Sequence, residues 1–228
     1  MNNGNKTSKD GSVHVTDEKF NTTSHLSAFI FSLLGIVLLI VLSSVAGKIW
    51  HIISFSIYGI SLMSVFLASA FHHGINTGRK YEELLKLFDY LAIFLLIAGT
   101  YTPICLTLLR GPFGWSVFGV IWGVAAIGIT LKAVFPKIPK WVTNTIYGTM
   151  GWSGSIIVFK LLNIIPLYAI GLIALGGIFY TVGMFIFYSE KPNPIPGKFG
   201  FHEIWHLFVI AGALTHYLFM YFIILPYN

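Results

Sequence analysis

Seven stretches of about twenty apolar residues, separated by short polar connections, leave this chain few folds to choose from. They cover residues 26–46, 49–71, 88–108, 115–134, 141–161, 166–188 and 202–225. A hydrocarbon core about 30 Å thick is crossed by roughly 20 helical residues rising 1.5 Å each. Lipid offers no partners to a bare backbone, so a spanning segment must satisfy its own peptide groups, and helices do so. Only 10% of the residues are charged, against roughly 25% in soluble domains. The expectation is an all-α, seven-transmembrane helix bundle built from residues 21–228.

Residues 1–20 are polar and nearly free of apolar side chains. They read as a disordered cytoplasmic tail. Ser44-Val45-Ala46 resembles a small-residue cleavage site. The apolar run before it exceeds the 7–15 residues of a signal core, so it is expected to remain as the first helix. The lone Cys105 excludes an internal disulfide and reads as a small buried residue.

The basic residues give the expected orientation. Lys6, Lys9 and Lys19 lie in the tail, and Arg79, Lys80 and Lys86 between segments two and three. Lys132, Lys137 and Lys140 flank the fourth connection, and Lys191 and Lys198 lie in the sixth. The alternate connections hold only Lys48, Arg110 and Lys160, so the split is eleven against three. The positive-inside rule then puts the N-terminus in the cytoplasm and the C-terminus outside. The net charge of +6 is a matter of topology here; membrane lipids, not nucleic acid, are the expected partners. Trp50, Trp115 and Trp141 stand at segment ends, where indole rings favour the interface. Gly148, Gly151, Gly154, Gly171, Gly176, Gly177 and Gly183 crowd segments five and six. Close helix packing is their first reading, and a glycine-lined substrate path the second.

Ionisable groups at membrane depth are costly and therefore functional suspects. His202-Glu203-Ile204-Trp205-His206 places two imidazoles one helical turn apart on one face, close enough to share a divalent cation. The letters also match the metalloprotease motif H-E-x-x-H. Ser69, His72 and His73 end segment two, and Asp89 opens segment three, so all fall at the same predicted depth as the pair. Either His73 or His72 completes a three-histidine zinc site with one open position. Asp89 is suited to orient and deprotonate a water, or else to pair with Lys86 or cap its helix. Ser69 is suited to hydrogen-bond within the site. Glu203 projects about 100° round from His202 and reads as facing the headgroups. His216 returns to nearly the same face about 21 Å further along, too far to share the ion, and is expected to point into the bundle with a hydrogen bond. His25 and His51 read as interfacial, and His14 carries no information.

Three motifs in order resemble a known family: Leu67-Ala68-Ser69-Ala70-Phe71-His72-His73, the run Phe88-Asp89-Tyr90 through Ala98-Gly99-Thr100-Tyr101-Thr102-Pro103, and Gly200-Phe201-His202-Glu203-Ile204-Trp205-His206-Leu207-Phe208. They are similar to the hemolysin III proteins, the bacterial branch of the progestin and adipoQ receptor family, which includes the adiponectin receptors. The resemblance implies seven helices with the N-terminus inside and a zinc ion near the cytoplasmic face. It also implies an S-x3-H, D, H-x3-H pattern matched here by Ser69 and His73, Asp89, and His202 and His206. That spacing selects His73 as ligand; His72 stands where relatives often carry an aromatic residue. The pattern requires no glutamate after the first histidine of helix seven. Adiponectin-receptor relatives are associated with zinc-dependent hydrolysis of the ceramide amide bond. Bacterial members are named for a cytolytic activity and linked to membrane lipid homeostasis. The function so implied is a zinc-dependent, hydrolase-like membrane protein acting on a lipid amide or ester. Its alternatives are a pore-forming cytolysin and a non-enzymatic, zinc-stabilised membrane sensor.

Overall fold

The computed structural model describes Lys9, Ser12, His14 and residues 16–228, all of its regular structure being helical apart from one isolated bridge, Ile195 to Phe199. Among the described residues eight α-helices follow one another: α1 (Glu18–Val45), α2 (Ile49–Gly74), α3 (Arg79–Pro103), α4 (Pro112–Val134), α5 (Lys140–Trp152), α6 (Gly154–Leu161), α7 (Leu167–Ser189) and α8 (Phe201–Phe219). Six of the spans are long and apolar enough to cross a membrane by themselves. The seventh is α5 and α6 together, interrupted only at Ser153. The chain is thus a seven-transmembrane bundle.

Consecutive helices pack as antiparallel neighbours, α1 on α2 and α2 on α3, and α3 then meets α5, α5 meets α7, α7 meets α8 and α8 returns to α1. These contacts close a ring, with α4 against α3 and α5. Of the membrane-length spans α3 is the most enclosed and α7 the most exposed. Most exposed large side chains are apolar, among them Phe31, Ile60, Val120, Phe159 and Phe185. In water such a surface would aggregate; against lipid it costs nothing.

Two helix irregularities have identifiable causes. Pro103 has no N–H to give to its helix, and the chain continues as a π-helical turn over Ile104–Leu108, with the Thr107 hydroxyl on the Pro103 carbonyl at 2.6 Å. The α5–α6 break follows from Tyr101. Its hydroxyl donates toward the Met150 and Gly151 carbonyls at 2.7 and 2.9 Å, taking acceptors from the helical ladder. Gly154 is required there, because a Cβ would stand 2.8 Å from the Tyr101 oxygen.

At the end opposite the histidine cluster, Lys48 donates to the carbonyls of Leu225, Pro226 and Tyr227 at 3.0, 3.2 and 2.8 Å. His51 lies 2.9 Å from the Ile224 carbonyl. His51 is therefore buried and closes the end of the last helix rather than facing the interface. Arg110 stacks over Trp50, which meets Trp115 edge to face, so part of the expected aromatic belt is present.

The expected tail divides. Residues 1–8, 10, 11, 13 and 15 lie outside the described residues. Of the rest, Asp17 caps α1 through 3.0 Å bonds from the backbone N–H groups of Lys19 and Phe20. The first helix consequently begins at Glu18, eight residues before the apolar run. Likewise α3 begins at Arg79, where a loop to residue 86 was expected. Its first turns are polar because they project beyond the hydrocarbon.

Candidate metal centre

His73 near the end of α2 and His202 and His206 on the first turns of α8 are buried, and one ligand nitrogen from each lies within 4.8 Å of the others. Nε2 of His73 and Nε2 of His202 are 3.3 Å apart. Two nitrogens bound tetrahedrally to one zinc ion at 2.0–2.1 Å stand about 3.3 Å from each other, so this pair has the spacing the ion demands. His73 rather than His72 joins the α8 pair. His72, also buried, belongs to a second group with His73 and Asp89.

Glu18 completes the arrangement and was missed from the sequence. Its Oε2 lies 2.5 Å from His73 Nδ1. A carboxylate there fixes the proton on Nδ1 and turns the Nε2 lone pair toward the other imidazoles. Thr16 and the Lys9 backbone N–H hold the other carboxylate oxygen at 3.0 and 3.4 Å. The residue lies before the apolar run, in what reads as tail; the only hint is an acidic Asp17-Glu18 pair at a helix start.

Asp89 does not open its helix. It sits well inside α3, which removes the capping reading, with Ser69, Lys86 and His202 nearby. His25, expected at the interface, instead lies inside the bundle with its ring stacked on His206 at 3.9 Å. Asp89, Ser69, His72, His25, His202 and His206 all line one cavity of about 470 Å³ that runs between α3, α5, α6, α7 and α8. Gly148, Gly151, Gly154 and Gly177 line it too, while Gly183 packs against Trp205 and Phe208. Some of these glycines thus line the cavity and others seat a neighbouring helix.

Glu203 is buried rather than facing headgroups. Oε2 accepts from the Gly200 N–H at 2.8 Å, and Oε1 from the Asp17 N–H at 2.6 Å and Asn21 at 3.3 Å. Asn193, from the proline-rich connection, accepts the Phe201 N–H at 3.1 Å. Glu203 thus spends its lone pairs capping α8 and tying α1 to it. The H-E-x-x-H letters do not correspond to a protease base. Lys9 closes the same end of the bundle, donating to the carbonyls of His73 and Ile75, each at 2.9 Å.

Residues 13–217 match the family described as Haemolysin-III related. The chain is 35% identical to the Hemolysin-3 of Bacillus cereus over 212 residues, covering 93% of this chain and 94% of that one. It is 35% identical to the Hemolysin-3 homolog of Bacillus subtilis (strain 168), covering 93% and 95%. The human monocyte to macrophage differentiation factor is 30% identical over 172 residues, covering 74% of this chain and 69% of that protein. With its seven spans, its paired histidines on the last helix and these matches along nearly its whole length, the chain belongs to the hemolysin III family of multi-pass integral membrane proteins.

Proposed function

We propose that His73, His202 and His206 hold a zinc ion and that the protein hydrolyses an amide or ester bond of a membrane lipid. The observation that carries this reading is the convergence of three buried imidazoles and the Asp89–Ser69 pair at one end of a long cavity inside the bundle. A zinc ion held by three imidazoles supplies Lewis acidity, polarising a carbonyl oxygen and making water acidic near neutral pH. Glu18 orients the His73 ring. Ser69 lies beside Asp89, whose carboxylate is suited to hold a water and take its proton. Lys86 lies near that carboxylate. The apolar cavity wall receives the hydrocarbon part of the substrate and keeps bulk water from the bond.

Purified protein should carry about one zinc per chain, as a three-histidine site requires, and His202→Ala combined with His206→Ala should lose it. Asp89→Ala should keep the metal and lose lipid turnover, read by mass spectrometry of the membrane lipids. Zinc retention in the double histidine variant would sink the metal assignment. Turnover equal in Asp89→Ala and wild type would sink the assignment of the water-handling carboxylate. Zinc without turnover in any lipid extract would leave a metal that ties α2 and α8 together as a sensor. Dye leakage from liposomes that persists without the histidines would favour the lysis named in the Bacillus cereus relative.

A further inference from the structure

The cavity has a second polar station at its other end. His216 lines it together with His202, fourteen residues earlier on the same helix. At 1.5 Å per residue the two lie about 21 Å apart along α8. Most of the cavity's lining surface is apolar, with Ile93, Ile97 and Ile170 among its members.

The His216 ring reaches α7, where Nε2 lies 3.3 Å from the Ile173 carbonyl. A carbonyl only accepts, so that contact puts the proton on Nε2 and leaves Nδ1 as a bare acceptor. Nδ1 is buried and has no partner among the described residues. Tyr180, whose ring centroid is 5.6 Å from that of His216, lines the same cavity, and its buried hydroxyl also lacks a partner. Leaving two such atoms unsatisfied is costly, and phenylalanine at both positions would avoid it. Glycines seat both rings. A Cβ at Gly176 would collide with the His216 ring, and one at Gly212 would stand 2.9 Å from the Tyr180 ring. The helices are thus shaped to bring the two rings together in the bundle interior.

We propose that His216 and Tyr180 form a hydroxyl-binding subsite for the hydrocarbon end of an elongated lipid lodged in the cavity. A hydroxyl has the matching chemistry: its proton goes to Nδ1, and its oxygen accepts from the tyrosine. A carbonyl would leave Nδ1 bare, and a plain methyl end would leave both groups bare. The subsite selects among lipids by a group about 20 Å from the histidine cluster, so it acts on binding and stays clear of the bond-breaking end. It rests on the cavity's taking a lipid, as proposed above, but on neither metal nor turnover.

The test is equilibrium binding to detergent-solubilised protein of hexadecanoic acid and its ω-hydroxy derivative, each displacing a fluorescent fatty acid. Wild type should prefer the hydroxylated ligand about tenfold, the scale of one or two buried hydrogen bonds. Tyr180→Phe, which removes one oxygen, and His216→Leu should each bring the ratio toward one. Equal binding by wild type would mean that water serves these atoms, and would overturn the subsite while leaving the lipid cavity intact. A preference retained in both variants would also overturn it. Binding of neither acid would remove the subsite and the lipid reading together.

Discussion

Glu18 and Glu203 show how little a residue's letters say about its work. Both are carboxylates at the same end of the bundle, and only the one outside the recognisable motif touches a ligand candidate. Glu18→Gln keeps the shape but lets the amide offer either a donor or an acceptor to His73 Nδ1, so the ring loses its enforced tautomer. The expected result is a 10–100-fold weaker zinc affinity, the usual loss on removing such a partner, measured by competition with a chelator of known affinity. Unchanged affinity would show that the contact does not orient the ring. Glu203→Gln should do the reverse. It retains one acceptor where the carboxylate serves the N–H groups of Gly200 and Asp17, so stability falls by about 1–2 kcal/mol. Zinc content and turnover should stay near wild type. A collapse in turnover of several orders of magnitude, with zinc retained, would restore Glu203 as a base.

At the scale of elements, hydropathy located every crossing, because lipid demands a continuous apolar run of fixed length and the sequence must supply it. It misplaced the starts of α1 and α3, where Glu18 to Ser24 and Arg79 to Leu87 are helical but lie beyond the apolar runs. The His202/His206 pair was legible through its four-residue spacing, and His73 and Asp89 through their matching depth. The partners of these groups were not, since Glu18, His25 and Asn193 reach the end of the bundle by tertiary packing that no local spacing encodes. The α5–α6 interruption was hidden for the same reason: its cause, Tyr101, is on another helix. Tyr101→Phe should remove the hydroxyl that engages Met150 and Gly151 and cost about 1–2 kcal/mol. It should also speed amide exchange around Ser153 more than elsewhere. Exchange unaltered in that segment would mean that the break is set by its own glycines and serine.

For the whole molecule the asymmetry of charge and the position of the site are one fact seen twice. Lys9, Lys86, Lys132, Lys140 and Lys198 belong to the end of the bundle that carries His73, His202 and Asp89, while Lys48, Arg110 and Lys160 belong to the other. Basic residues resist translocation, so the histidine end is expected in the cytoplasm and the C-terminus outside. Cys105 is the sole cysteine and is buried, which makes labelling of introduced cysteines clean. In intact cells an impermeant maleimide should label Asn228→Cys and leave Lys198→Cys unlabelled until the membrane is broken. The opposite pattern would invert the bundle and present the histidine cluster to the outside, with its zinc drawn from the medium rather than from the tightly buffered cytoplasm. A lipid substrate would then have to come from the outer leaflet. Orientation therefore decides which leaflet's lipids lie level with the histidine cluster, and the labelling result limits the substrate search before any turnover is measured.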